Sequence, residues 1–150
     1  MTQPSLFGPS SSSDSATANV DGGSRGNPGP AGYGVRIQHG DDVVELKGAL
    51  SLATNNVAEY NGLLAALRWG VQHGIATLHV RADSELMVKQ MRGEYRVKNP
   101  GLQPLFEEAQ SLRRQIGRVT FEHVRREFNK EADRLSNLGM DAAEAELGAR

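Results

Sequence analysis

Apolar and polar positions alternate through the early part of the chain. Ala18 and Val20 stand between polar neighbours, Tyr33, Val35 and Ile37 repeat the pattern, and Val43 to Leu50 follow the turn-forming run His39-Gly40-Asp41-Asp42. A period of two with a turn between runs predicts a three-strand meander. The period then changes: Val57, Tyr60, Leu63, Leu64, Leu67 and Val71 recur at helical spacing, and the pattern stops near Gly74. Leu78, Val80 and Ala82 predict a fourth strand, followed by a helix from about Ser84 to Met91 and a helical segment from about Leu102 to Ile116. Val119, Phe121 and Val124 mark a less regular last strand. The closing helix is expected from about Asn129 to Leu147, with Ala132, Leu135, Leu138 and Ala142 on its apolar side. Three strands, then helix, strand, helices, strand and helix, predict an α/β fold with a mixed sheet, because a parallel return needs a crossover.

The stretch from Met1 to about Ala16 is rich in Ser, Pro and Gly and cannot bury enough apolar surface to offset its ordering entropy, so residues 1–16 are expected to be a disordered tail. Residues 17–147 then form one domain, with a short tail at 148–150. A chain of 150 residues with 38% hydrophobic content suffices for one core and not two.

A net charge of -1 excludes a protein that coats nucleic acid by bulk positive charge, so any such partner must meet a local patch. The absence of cysteine excludes disulfides, thiolate metal sites and cysteine nucleophiles. No segment approaches the roughly 20 apolar residues of a membrane span, and the N-terminus has neither a basic region nor an apolar run. A cytoplasmic monomer with no membrane association is expected.

Four carboxylates fall at element ends in this scheme. Asp21 ends the first strand, Glu59 lies in the first turn of the first helix, Asp83 ends the fourth strand, and Asp133 lies in the first turns of the last helix. Each has an ordinary structural use: Asp21-Gly22 is a turn signal, Glu59 follows Asn56 at capping-box spacing, Asp83 can cap the next helix, and Asp133 can face a helix dipole. Strand ends and helix starts also converge at one edge of a sheet, and carboxylates gathered there repel one another unless cations neutralise them. Oxygen ligands without His or Cys suit Mg²⁺ or Mn²⁺ rather than zinc. Two such ions, about 3.5 to 4 Å apart, clamp the attacking and leaving oxygens of an in-line phosphoryl displacement. The chemistry that fits is phosphodiester hydrolysis.

The run Asp21-Gly22-Gly23-Ser24-Arg25-Gly26-Asn27-Pro28-Gly29-Pro30-Ala31-Gly32, then Thr54-Asn55-Asn56 with Ala58-Glu59-Tyr60, then Asp83-Ser84, then Asn129 to Asp133, resembles the type 1 ribonuclease H family. The likeness extends over about Thr17 to Ala143. The glycine run lacks the Gly-Lys-Ser/Thr of a P-loop. The resemblance implies a five-stranded mixed sheet with three antiparallel and two parallel strands, flanked by helices. It implies an endonuclease that hydrolyses the RNA strand of RNA/DNA hybrids with two Mg²⁺ ions, Mn²⁺ being an alternative, and leaves 5'-phosphate and 3'-hydroxyl ends. Asp21, Glu59, Asp83 and Asp133 are its implied metal ligands and catalytic residues, with the backbone of Gly22 beside them. Ser24, Asn27, Thr54, Asn55, Asn56 and Ser84 match hybrid-contacting positions. Small amides and hydroxyls can read a ribose 2'-OH, and helix capping is the ordinary use of Asn55 and Asn56.

The chain departs from many family members by having the short Arg125-Arg126-Glu127-Phe128 where they carry a Gly- and His-rich loop. His123 is assigned to the strand, and Arg126 or Glu127 stands in the loop's place. The stretch from Gly93 to Pro104 is too short for the helix of a basic protrusion. The subgroup resembled is the compact one that lacks both features. Lys89, Arg92, Arg96 and Lys98 remain as candidates for phosphate contacts, with a solvated charged face as the alternative.

The rival readings are an exonuclease of related fold, which would place an acid two positions after Asp21 where Gly23 stands, and an inactive hybrid-binding module. In the tail, Gln3-Pro4-Ser5-Leu6-Phe7 resembles short peptides that dock on the replication sliding clamp, with Leu6 and Phe7 as apolar anchors and Gln3 as a polar one.

Overall fold

Ala16, Ala18 and Val20 project from one face of the first strand, and Val35 and Ile37 join them from its neighbour in a single buried cluster. In the computed structural model, which describes residues 14–148, this pattern builds β1 (Ser15–Ser24), β2 (Gly29–His39), β3 (Asp42–Ala53), α1 (Asn55–Gln72), β4 (Thr77–Ala82), α2 (Glu85–Met91), α3 (Gln103–Ile116), β5 (Arg118–His123) and α4 (Lys130–Gly148). The strands form one sheet in the order β3-β2-β1-β4-β5. β1 pairs antiparallel with β2 and parallel with β4, β2 pairs antiparallel with β3, and β4 pairs parallel with β5. This is the expected mixed sheet of three antiparallel and two parallel strands.

One face of the sheet is covered by α1, whose Leu63, Leu64 and Leu67 are fully buried, and α3 packs against α1. Each of those leucines contributes roughly 1.5 to 3 kcal/mol by leaving water. The other face is covered by α4, which lies mainly on β2 and β3. Its approach is close because the residues facing it are small. A Cβ on Gly32 would lie 2.4 Å from the Gly139 carbonyl carbon, and one on Gly34 would lie 2.5 Å from the Ala132 oxygen.

Several expectations change. The tail boundary after Ala16 is too late, since β1 begins at Ser15 and Ala16 is buried in the core. The remainder of that tail, with the docking residues Gln3, Leu6 and Phe7, lies outside the described residues, as do residues 149 and 150. Gly148 belongs to α4 rather than to a C-terminal tail. On α4 the buried face is Ala132, Leu135, Ser136, Gly139, Met140 and Ala143, while Leu138 and Ala142 are exposed. The glycine-lined sheet selects small side chains there, which an apolar count does not register. Among the described residues no helix is long and apolar enough to cross a membrane.

Candidate active site

The sequence Asp21-Gly22 does not end a strand: β1 continues through both residues to Ser24, with Asp21 paired to Gly34 and Gly22 to Tyr33. Alternation along the strand turns the two residues to opposite faces. Gly22 faces α1 so closely that a Cβ there would lie 2.3 Å from the Ala58 carbonyl carbon and 2.5 Å from the Glu59 nitrogen. Only glycine allows that approach, and it brings the base of Glu59 beside Asp21. Glu59 stands in the second turn of α1, not the first, because the helix begins at Asn55. The cap is Thr54, whose Oγ1 accepts the Val57 N–H at 3.2 Å, so the capping box suggested for Asn56 and Glu59 does not form. Asp83 follows the end of β4 and leaves the capping of α2 to Ser84, which accepts the Met87 N–H at 3.3 Å. Asp133 lies in the first turn of α4 and donates its N–H to the Asn129 oxygen at 3.0 Å.

These four carboxylates open onto one cleft, whose rim is formed by Gly22, Gly23, Ser24 and Asn55. Burial first, then the nearby Asp83 and Asp133, raise the Asp21 carboxyl to about 8, against the Gly22 N–H that donates to Asp21 Oδ1 at 2.9 Å. Asp21 is 9% exposed. Burial likewise lifts Glu59 to about 7, opposed by a hydrogen bond from Ser84 and aided by the charge of Asp83. Asp83 is raised by burial, while the Arg126 guanidinium draws it back down. The cleft therefore gathers carboxyl groups whose ionisation the protein disfavours, with Arg126 acting the other way on Asp83. Among the described residues, no three of these side chains are already gathered as a cage for a metal ion.

The expected substrate-contacting residues divide into two groups. Asn55 Oδ1 accepts the Ser24 N–H at 2.8 Å, and Asn27 Oδ1 accepts the Asn55 N–H at 3.1 Å, so the glycine-rich loop is fastened to the start of α1. Thr54 and Ser84 are helix caps, and Asn56 is exposed without a side-chain partner among the described residues. Arg25, which the sequence did not single out, holds the same loop from the other side. Its guanidinium donates to Asp141 at 2.7 Å, to Glu144, and to the Asn137 oxygens on α4.

Of the accessory candidates, Arg126 lines the cleft, whereas Glu127 faces away from it and lies 3.9 Å from Arg125. Lys98 is exposed in the connection between α2 and α3 and lines no part of the cleft. Lys89 pairs with Glu85 at 3.3 Å and lies over the Tyr95 ring, and Arg92 donates to the Phe121 oxygen at 2.7 Å, so both are engaged structurally. His123 ends β5, as expected. Ser136, Asn137 and Met140 also line the cleft and were not anticipated. They follow Asp133 at helical spacing, which is the signal that could have found them.

Comparison with known proteins places this geometry. A family model described as reverse transcriptase-like matches residues 19–139. The N-terminal RNase H domain of Rv2228c from Mycobacterium tuberculosis, solved as a fusion with maltose binding protein, superposes with a TM-score of 0.86 at 46% identity, over 90% of this chain and 99% of that one. The chain belongs to the type 1 ribonuclease H family. RNase H1 from Halobacterium salinarum superposes at a TM-score of 0.80 and 37% identity, over 85% of this chain and 98% of that one. LC11-RNase H1, solved in complex with an RNA/DNA hybrid, gives 0.80 and 38%, over 85% and 98%. In sequence, the bifunctional protein Rv2228c is 50% identical over 127 residues, which is 83% of this chain and 35% of that protein. The chain thus spans about a third of that relative. Within the ribonuclease H family the present chain is one in which an arginine, Arg126, faces the acidic cleft from a short 3-10 turn at Arg126–Phe128.

Proposed function

We propose that the protein is a ribonuclease H that hydrolyses the RNA strand of RNA/DNA hybrids, with Asp21, Glu59, Asp83 and Asp133 holding two divalent cations. The observation that carries this reading is the convergence of four carboxylates on one cleft, with Asp21 raised to about 8 by burial and by the neighbouring Asp83 and Asp133. An all-oxygen donor set fits Mg²⁺ or Mn²⁺. When bound, the ions activate a water and stabilise the leaving oxygen of an in-line displacement.

The residues of the chain supply the rest. Asn55, fastened to Ser24 and Asn27, keeps the glycine-rich loop at the cleft rim, where small polar groups can read a ribose 2'-OH. Thr54, Asn56 and Ser84 are assigned to hybrid contact by their match to the family's positions. Arg126 offers a fixed positive charge to a phosphate entering or leaving the cleft. LC11-RNase H1, which binds an RNA/DNA hybrid, shares the fold and supports this substrate class.

The test is a labelled RNA/DNA hybrid, with single-stranded RNA and all-DNA duplex controls, incubated with Mg²⁺ and with a chelator. Cleavage of the hybrid alone, dependent on the metal and leaving 5'-phosphate and 3'-hydroxyl ends, is expected. Ends bearing 2',3'-cyclic phosphate would require the ribose hydroxyl as nucleophile and would remove the mechanism. Binding without cleavage would identify an inactive hybrid-binding module, and degradation from the ends of all-DNA duplex would identify an exonuclease.

A further inference from the structure

A row of polar and charged residues crosses all five strands. Glu45 pairs with Arg36, Arg36 with Asn19, Asn19 with Arg81, and Arg81 with Glu122. Directly paired residues share a face, so the two arginines flank Asn19 on the same side of the sheet, about 10 Å apart at their backbones. The chain entering α4 closes over them and leaves a cavity of about 240 Å³. This cavity and the acidic cleft lie on opposite sides of the 3-10 turn: Arg126 faces the cleft and Glu127 the cavity, and they have no lining residue in common.

The floor of the cavity is fixed and neutral. Asn129, 1% exposed, donates from Nδ2 to the Val20 oxygen at 2.9 Å and accepts from Asn19 Nδ2 at 2.9 Å. The walls carry three cations, Arg36, Arg81 and Lys130, beside the carboxylates Glu127 and Glu131. Arg36 and Lys130 line the cavity, and among the described residues neither side chain has a hydrogen bond or ion pair. Arg81 has a buried Nε that makes no hydrogen bond, although the Glu122 carboxylate is 3.3 Å away.

The carboxylates near these cations also face other basic groups. Glu131 is 3.1 Å from Arg134, Glu45 is 2.7 Å from the same arginine, and Glu127 is 3.9 Å from Arg125. Glu122 also meets His79 at 2.8 Å. Arg36, partly buried and without a counter-charge among the described residues, is costly to hold, and its guanidinium fork matches the oxygens of a phosphate.

We propose that this cavity is an anion-binding site that takes one phosphate group, held by Arg36 and Lys130 with Arg81 behind them. The volume suits a single phosphate rather than a drug-sized ligand, whose pockets begin at about 300 Å³. The group can come from inorganic phosphate or from a nucleic-acid strand. The site stands whether or not the acidic cleft is a nuclease.

The test is titration of the metal-free full chain, in chelator, with inorganic phosphate, following the side-chain amides of Asn19 and Asn129 by NMR. Saturable shifts are expected in the wild type, weakened at least about tenfold in Arg36→Ala and in Lys130→Ala, as loss of a charge-assisted hydrogen bond implies. The spectra themselves report whether each variant is folded, and Lys130, exposed at the start of α4, is the safer substitution. Absence of saturable shifts in the wild type, or unchanged affinity in folded variants, overturns the proposal. A short single-stranded oligonucleotide that competes with phosphate for the same amides supports the site and assigns the phosphate to nucleic acid; shifts by phosphate without competition support it as a site for the free ion.

Discussion

The side-chain oxygen of Asn55 accepts the backbone N–H of Ser24 at 2.8 Å, joining the start of α1 to the loop after β1 across 31 residues of sequence. Asn56, its neighbour, has no such tie among the described residues. Replacing Asn55 by Ala is therefore expected to lower both stability and hybrid turnover, with kcat/KM falling on the order of 10 to 100 fold as for other orienting groups. Asn56→Ala should leave the melting temperature unchanged and act on substrate handling alone. Thermal unfolding and steady-state kinetics on a hybrid, run on both variants, check this; an Asn55→Ala protein with wild-type kinetics would sever the loop's position from its use.

Asp21→Asn and Asp83→Asn are each expected to abolish hybrid cleavage while hybrid binding largely survives, since the amide keeps the shape and removes the charge that attracts cations. Cleavage assays beside an electrophoretic binding assay in chelator distinguish the two effects. Near wild-type turnover in either variant would take that residue out of the metal site.

The raised carboxyls set a pH dependence. In the metal-free protein the folded state keeps the Asp21 proton to about pH 8, whereas the ordinary value is 3.8, and it keeps the Glu59 proton to about pH 7 against 4.5. The folded state binds more protons across that window, so these groups' stabilisation is complete below about pH 4 and is lost as pH rises to 8. Melting temperatures in chelator should thus fall with pH more steeply for the wild type than for Asp21→Asn. Equal slopes would show that Asp21 ionises freely in the fold.

Gly32→Ala is expected to destabilise by about 1 to 3 kcal/mol or more, because the added methyl meets backbone of α4 rather than a side chain that can turn away. As α4 carries Asp133, activity should fall alongside stability. A denaturant melt with unchanged midpoint would mean that the helix can lift from the sheet at little cost.

Much of this was legible in the chain. Alternation at Ala18, Val20, Val35 and Ile37 located the central strands because the face they turn to α1 is apolar, and the four carboxylates do open onto one cleft. What escaped depends on partners distant in sequence. The run Asp21-Gly22 reads as a turn until α1 is in place, when Gly22 is seen to admit the helix backbone. Leu138 and Ala142 looked like the buried side of α4, yet the sheet beneath it is lined by Gly32 and Gly34 and accepts Ser136 and Gly139 instead. Arg126 and Glu127 are adjacent and equally polar, and only the 3-10 turn decides that the first faces the cleft and the second does not.

The central strand supplies Asp21 near the beginning of the chain, and the fourth carboxylate of the cleft arrives only with α4, after β5 has joined the sheet. A ribosome-bound chain that has emerged as far as β5 holds three of the acids and an uncovered glycine-lined face. The cleft becomes whole only when α4 docks, so a nascent chain that has folded no further than β5 lacks the fourth acid and the helix that carries it.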